Sequence, residues 1–498
     1  MLYKKDPDIL KAYFEDSSNL RGGYADEVAI PENIGELSQF LKDANSAKLP
    51  VTISGGGTGT TGSRIPFGGV VVSLEKLSKI IRISNKEMTA VVETGVMVDE
   101  LKKAADIQGM FYTSHPTEGS ASVGGTVATN ASGSRSFKYG PTRNYVKRLK
   151  MVMTDGKIVE LRRGQETLSR NKPFINLSGG LAFTIPFPTY KMPNVKSSAG
   201  YFIKDGMDVI DLFIGQEGTL SVITEIEIAL VKKPYKILSA FVFFGREEDA
   251  WHFASDARDI SKNNRDLPDI LGIDALSIEY FDKNALMIIR DKGVKIPDEA
   301  DSAIFFEQDI ASDDCENSIL KKWMDLISKH SALIDDTWVA MNERDVRKFT
   351  EFRHAIPEAI NGIIKRNGFQ KLSADIAVSD ASSLEMLRFY NDELNSQKID
   401  RIIFGHIGEN HLHVNIMPKS DMELSLAREL VLKFVKKGVS LGGSVSAEHG
   451  IGKIKHPYLL EMYGTNGVME MSKVKRALDP NCILGLGNIF PRDLLSYA

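Results

Sequence analysis

The chain has 498 residues, 42% of them hydrophobic and 26% charged, which is beyond the size at which one core usually stops growing, so two or more globular units are expected. A net charge of −4 gives no case for nucleic acid, and two cysteines, Cys315 and Cys482, exclude a disulfide framework or a cysteine-ligated zinc or iron–sulfur centre. No run of about 18 apolar residues marks a transmembrane segment, and the polar stretch Met1–Asp8 lacks the apolar centre of a signal peptide. A cytoplasmic protein is the expectation, with peripheral attachment to a membrane left open.

From Pro31 helices and strands alternate. Ile34, Leu37, Phe40 and Leu41 recur at helical spacing, and Val51 to Ser54 form a short strand that runs into Gly55–Gly62. Val70 to Leu74 and Thr89 to Glu93 read as further strands, with a helix from Val98 to Ala105. Leu149 to Thr154 and Lys157 to Leu161 flank Asp155-Gly156, a hairpin signal. Residues 162–204, rich in Pro, Gly, Ser and Asn, read as a long loop of the kind that often serves as a lid. Beyond Pro234, strand-like runs Ile237 to Phe244 and Ala303 to Phe306 alternate with charged helical segments, an α+β pattern.

The stretch Gly57-Thr58-Gly59-Thr60-Thr61-Gly62 satisfies the dinucleotide fingerprint G-x-G-x-x-G, but that motif must open a helix. Arg64-Ile65-Pro66-Phe67-Gly68-Gly69 follows, and a proline with two glycines forbids a regular helix, so a Rossmann unit is not expected. Successive glycines still let backbone N–H groups approach an anion. A second small-residue block, GSASVGGTVATNASG, runs from Gly119 to Gly133. Two such loops suit a ligand with a diphosphate spine, whereas tight turns are the alternative for either one alone.

These blocks resemble the FAD-binding domain of the vanillyl-alcohol oxidase family, through SGGGTGTTG, HPTEGSASVGGTVATNASGSRSFKYGPTRNYV and IGQEGTLSVITE. FGHIGENHLHVNIMP, SAEHGIGKIKHP and LDPNCILGLGNIF resemble the cap domain of its D-lactate dehydrogenase and glycolate oxidase members. The resemblance implies an α+β protein: a two-subdomain PCMH-type FAD-binding domain over residues 1–233, then a cap domain over 234–498. The cap would be an antiparallel sheet flanked by helices, with about 470–498 packing back on the FAD domain. It implies that Gly55, Gly56, Gly57, Thr58, Gly59, Pro116, Ser122, Gly124, Gly125, Thr129, Asn130, Glu217, Gly218 and Ile223 line the FAD. Some relatives attach the flavin through a histidine in the first loop; Thr58 stands there, so FAD is expected to be non-covalent, with His115 the residual candidate for attachment.

The C-terminal half carries its own chemistry. Ile402 to Gly405 leads as a strand into His406, and in a strand from His411 to Ile416 the period of two puts His411, His413 and Asn415 on one face. His406, His413 and Glu448 make a 2-His-1-carboxylate set, with structural histidines the competing reading on spacing alone. The resemblance favours a divalent metal at these positions, zinc or manganese. Such an ion would act as a Lewis acid on the hydroxyl and carboxylate oxygens of a substrate. His449 is then the candidate base and Asn415 a hydrogen-bonding partner of the substrate. Arg353, by the resemblance, pairs with the substrate carboxylate.

The expected activity is oxidation of a small D-2-hydroxy acid, D-lactate favoured, by proton removal and hydride transfer to the flavin. Relatives that oxidise D-2-hydroxyglutarate place a lysine where Ser373 stands, so a second carboxylate would lack its partner. Glycolate oxidation as a complex subunit and D-2-hydroxyglutarate oxidation are the alternatives, and an alkylglycerone-phosphate synthase-like transferase ranks below them. Departures from the pattern include Ser379 for a proline and Asn488 for a lysine. The electron acceptor (oxygen, quinone, cytochrome or an electron-transferring flavoprotein) and the choice between a homodimer and an oxidase-complex subunit stay open.

Overall fold

The computed structural model describes residues 1–114, 118–370 and 372–496, and the side chains of residues 179, 181, 343, 350 and 354 fall outside that description. Pro116 and His115 therefore lie outside the described residues.

The first half holds two larger sheets, of four and five strands, beside two-stranded ribbons. In the smaller, Leu2–Lys4, Glu27–Ile30, Val70–Ser73 and Val51–Ser54 lie side by side in that order. Glu27–Ile30 and Val51–Ser54 both run parallel to Val70–Ser73. Parallel strands need a crossover, and the helix Ile34–Ser46 supplies it. Asn33 caps that helix, its Oδ1 accepting from the Glu36 N–H at 3.0 Å, and Leu37, Leu41 and Ala44 form the buried stripe at the expected spacing. Among the described residues no helix follows Ser54 before Val70, so the glycine block is not a Rossmann turn.

The larger sheet is antiparallel, in the order Ile80–Ser84, Thr89–Glu93, Val222–Ala229, Val146–Val152, Ile158–Arg162. The Asp155-Gly156 hairpin forms as read: Gly156 has φ +82°, and a Cβ there would lie 2.7 Å from the Ser38 carbonyl oxygen. Residues 162–204 are more than a loop. Phe174–Leu177 and Leu181–Thr184 pair as a hairpin, with Ile175 and Leu177 buried and Phe174 and Asn176 exposed. That alternation is the period-two signal that the polar composition of the whole segment masks.

The second half is built on a seven-stranded antiparallel sheet. Its order is Trp338–Ala340, Lys236–Phe244, Ser302–Ile310, Ala275–Asp282, Arg401–His406, His411–Ile416, Leu372–Ala377. Its central strands are apolar at both parities because helices cover both faces. Phe241, Phe243, Phe281 and Phe305 meet Ile356 and Ile360 of the helix Glu343–Asn367, while Val242, Phe244 and Phe306 belong to the core on the other side with Phe253 and Trp323. The chain then returns: Leu484 bridges to Val51, and Ile483 and Leu484 join Leu37, Leu41 and Val70 in one core. Among the described residues no helix is long and apolar enough to cross a membrane.

Candidate active site

A cavity of roughly 440 Å³ lies between the two halves, with the glycine loops at one end and the histidine strands at the other. At the first end it is lined by Gly55, Gly56, Gly57, Thr58 and Gly59 from the loop after Val51–Ser54. Ser122, Gly124, Gly125 and Thr129 come from the second block, and Glu217, Gly218 and Ile223 from the third. The two glycine loops touch. A Cβ on Gly56 would sit 2.6 Å from the Ser120 carbonyl oxygen, and one on Gly55 2.6 Å from Ser122 Oγ. Asn130 is placed differently: its Oδ1 accepts from the Arg143 N–H at 3.0 Å, and with φ +49° it shapes the turn behind the wall. Glu217 lines the cavity, yet its carboxylate accepts from the N–H groups of Ile451 and Gly452, each at 2.7 Å, and from Ser63 Oγ at 2.8 Å. It fastens the Glu448 loop to the first glycine loop.

At the other end strand register gathers the polar side chains. Directly opposed residues of an antiparallel pair share a face, so Ser373 opposes Asn415, Asp375 opposes His413, and His406 opposes His411. Glu448 reaches this face from the loop beyond the helix Asp421–Ser440. Its Oε1 lies 3.2 Å from His406 Nε2 and 3.3 Å from His413 Nε2. One donor atom from each of His406, His411, His413 and Glu448 falls within 4.8 Å of all the others, and all four residues are buried.

Two carboxylates unforeseen from the sequence orient these imidazoles. Glu279 Oε1 meets His406 Nδ1 at 2.7 Å, and its Oε2 accepts from Arg353 Nη2 at 3.1 Å. Burial raises the Glu279 carboxyl, but the His406 and Arg353 charges outweigh it and hold it at about 2. Asp375 Oδ1 meets His411 Nε2 at 2.6 Å, while its Oδ2 meets His449 Nδ1 at 3.2 Å and Lys455 Nζ at 2.7 Å. Against the cost of burial, the charges of His449 and Lys455 keep Asp375 well below the ordinary carboxylate range. The Asp375 carboxylate at Nδ1 orients the His449 ring and leaves Nε2 on the side of the cluster, 3.6 Å from Glu448 Oε1. Arg353, Asn415, His406, His413, Glu448 and His449 all line the cavity.

Known proteins are similar to this chain along most of its length. The FAD binding domain family matches residues 25–162, and the family of FAD linked oxidases, C-terminal domain, matches residues 252–489. The chain belongs to the FAD-linked oxidase family. It is 28% identical to glycolate oxidase subunit GlcD of Bacillus subtilis, over 94% of this chain and 89% of that protein. It is 29% identical to a D-lactate dehydrogenase of Archaeoglobus fulgidus, over 93% of this chain and 90% of that one. In fold it is similar to substrate-bound p-cresol methylhydroxylase, with a TM-score of 0.72 at 14% identity over 99% of this chain and 94% of that structure. This is the PCMH-type architecture that the resemblance implied.

The residues present fit both groups that the family implies. For FAD, two glycine loops too close to admit Cβ atoms present backbone to the cavity. Arg64 sits against Gly57 with its Nε buried and unpartnered. For a divalent ion, two imidazole nitrogens and one carboxylate oxygen converge, and His406 carries a carboxylate on its other nitrogen, as metal-bound histidines do. Glu279 was hidden from sequence reasoning because it lies in a strand buried on both faces, 127 residues from its partner His406. Asp375 did carry a signal: it sits in the stretch Ser373-Ala374-Asp375-Ile376-Ala377-Val378, two residues from Ser373 and so on the same strand face.

Proposed function

We propose that this FAD-linked oxidoreductase oxidises a small D-2-hydroxy acid, with D-lactate the favoured substrate, to the 2-oxo acid. One observation carries the reading: His449, oriented by Asp375, stands beside the His406–His413–Glu448 cluster in the same cavity as the glycine loops. Non-covalent FAD, held along the residues of the three blocks, supplies the acceptor for the hydride on the substrate's Cα. A divalent ion held by His406, His413 and Glu448 supplies Lewis acidity towards the substrate's hydroxyl and carboxylate oxygens.

The remaining work belongs to the chain. His449 Nε2 takes the hydroxyl proton, and Asp375 stabilises the resulting imidazolium. Arg353 meets the substrate carboxylate while Glu279 holds its guanidinium in place. Asn415, which lines the cavity opposite Ser373, donates to a substrate oxygen. Ser373, opposite Asn415, gives the wall a hydroxyl rather than a cation at that position among the described residues, which favours a monocarboxylate over D-2-hydroxyglutarate.

The test is anaerobic flavin bleaching by D-lactate, L-lactate, glycolate and D-2-hydroxyglutarate, each added separately. Bleaching by D-lactate is the expected result, slowed by a factor of about 10² to 10⁴ in His449→Ala. Bleaching by glycolate or D-2-hydroxyglutarate alone reassigns the substrate within the class. A flavoprotein that none of the four reduces sinks the reading in favour of a non-redox transferase.

A further inference from the structure

The proposed mechanism leaves unused a cation whose side chain is buried against the cluster. Lys196 lies at the end of the excursion, outside both family matches. Its side chain is 5% exposed. Its Nζ donates to Glu409 Oε2 at 2.7 Å, to Ser136 Oγ at 2.9 Å, and meets Glu448 Oε2 at 3.1 Å. An ammonium has three protons, and here three acceptors take them. Ser132 Oγ also donates to Glu448 Oε2, at 3.1 Å.

The two oxygens of Glu448 thus have separate duties. Oε2 is held by Lys196 and Ser132, while Oε1 faces His406 and His413. A carboxylate pinned in this way cannot turn to offer both oxygens to one ion. Ions differ in how much that matters. Calcium wants six to eight oxygens and often takes a carboxylate through both, whereas zinc is content with two imidazoles and a single oxygen.

We infer that Lys196 is a positioning residue that restricts Glu448 to one-oxygen donation and so makes the cluster select an imidazole-accepting divalent ion over calcium. The inference rests on the metal reading made under Proposed function. Removing the ammonium also removes repulsion towards any cation, but that effect is common to all divalent ions and cancels in a ratio of affinities. The selectivity ratio is therefore the informative quantity.

The flavin-loaded wild type, Lys196→Met and Lys196→Arg are stripped with a chelator and titrated with Zn²⁺, Mn²⁺ and Ca²⁺ against a chromophoric competitor. The expected result is a Zn²⁺/Ca²⁺ affinity ratio that falls about 10- to 100-fold in Lys196→Met and largely recovers in Lys196→Arg. If Lys196→Met keeps its flavin and the wild-type ratio, the inference is overturned. If the wild type binds none of the three ions, the metal reading falls as well, and Lys196 is the cluster's own counter-ion. Should Lys196→Met fail to fold, Glu409→Gln loosens the same ammonium without removing it. A smaller fall in the ratio supports the inference there, and an unchanged ratio overturns it.

Discussion

Ser373 and Asn415 face each other across two hydrogen-bonded strands, so a change at either is felt at the same place in the cavity. Ser373→Lys introduces a cation where the wall has a hydroxyl. It is expected to raise kcat/KM for D-2-hydroxyglutarate relative to D-lactate by about tenfold or more, the worth of one added charge-assisted hydrogen bond. Steady-state dye reduction with both substrates measures it, and an unchanged ratio would remove Ser373 from the argument on specificity. At this scale the sequence was informative where chemistry and short-range period coincide: His411, His413 and Asn415 share a face as strand geometry requires. It was silent on Glu279, Lys196 and the partnership of Asp375 with His449, since those contacts join residues between 74 and 252 positions apart.

Single elements carry two further expectations. The glycine loops approach so closely that Gly56→Ala drives a methyl into the Ser120 carbonyl. FAD affinity, read from flavin fluorescence on titration into the stripped protein, is expected to weaken about tenfold or more, equal to roughly 1.4 kcal/mol. The second expectation concerns Asp282, the N-cap of the helix Lys283–Asp291, which accepts from Ala285 N at 2.7 Å and Ile403 N at 3.0 Å. Burial pushes its carboxyl up to about 7 against these two N–H groups, which lower it. Between about pH 4 and 7 the native chain then holds a proton that the unfolded chain has released. Stability from this group accordingly falls as pH rises through that window, by a few kcal/mol at most, and is level above it. Urea midpoints of the wild type and Asp282→Ser across the window isolate the effect, because the serine keeps a capping oxygen without a titrating group.

At the scale of the whole molecule, the halves are joined by ion pairs as well as by the shared cavity. Arg135, from the segment after the second glycine block, makes a two-pronged bridge to Glu307 of the strand Ser302–Ile310, at 2.8 and 2.9 Å, with both side chains nearly inaccessible. Arg135→Met leaves a buried carboxylate without its partner and is expected to cost about 3–5 kcal/mol in denaturant unfolding. The double change Arg135→Met with Glu307→Leu should recover much of that loss. If it recovers nothing, the arginine acts through packing on Phe111, whose ring lies 5.2 Å away, and not through charge.

What depends on neighbours along the chain was legible in the residues alone. Apolar period marked the strands and the capped helix at Ile34–Ser46, Asp-Gly marked the hairpin, and a proline with two glycines ruled out a helix after the glycine block. Six ordered blocks, from SGGGTGTTG to LDPNCILGLGNIF, carried the resemblance that pointed to its family, and each is a local stretch legible without the fold. Packing in three dimensions sets which carboxylate orients which imidazole, brings a hairpin out of the polar excursion, delivers Lys196 to Glu448 and lays Leu484 beside Val51. Those facts come from the packing of two halves around one cavity. Burial there favours charges that find partners, and the partner is chosen by proximity in space, which one-dimensional spacing does not encode.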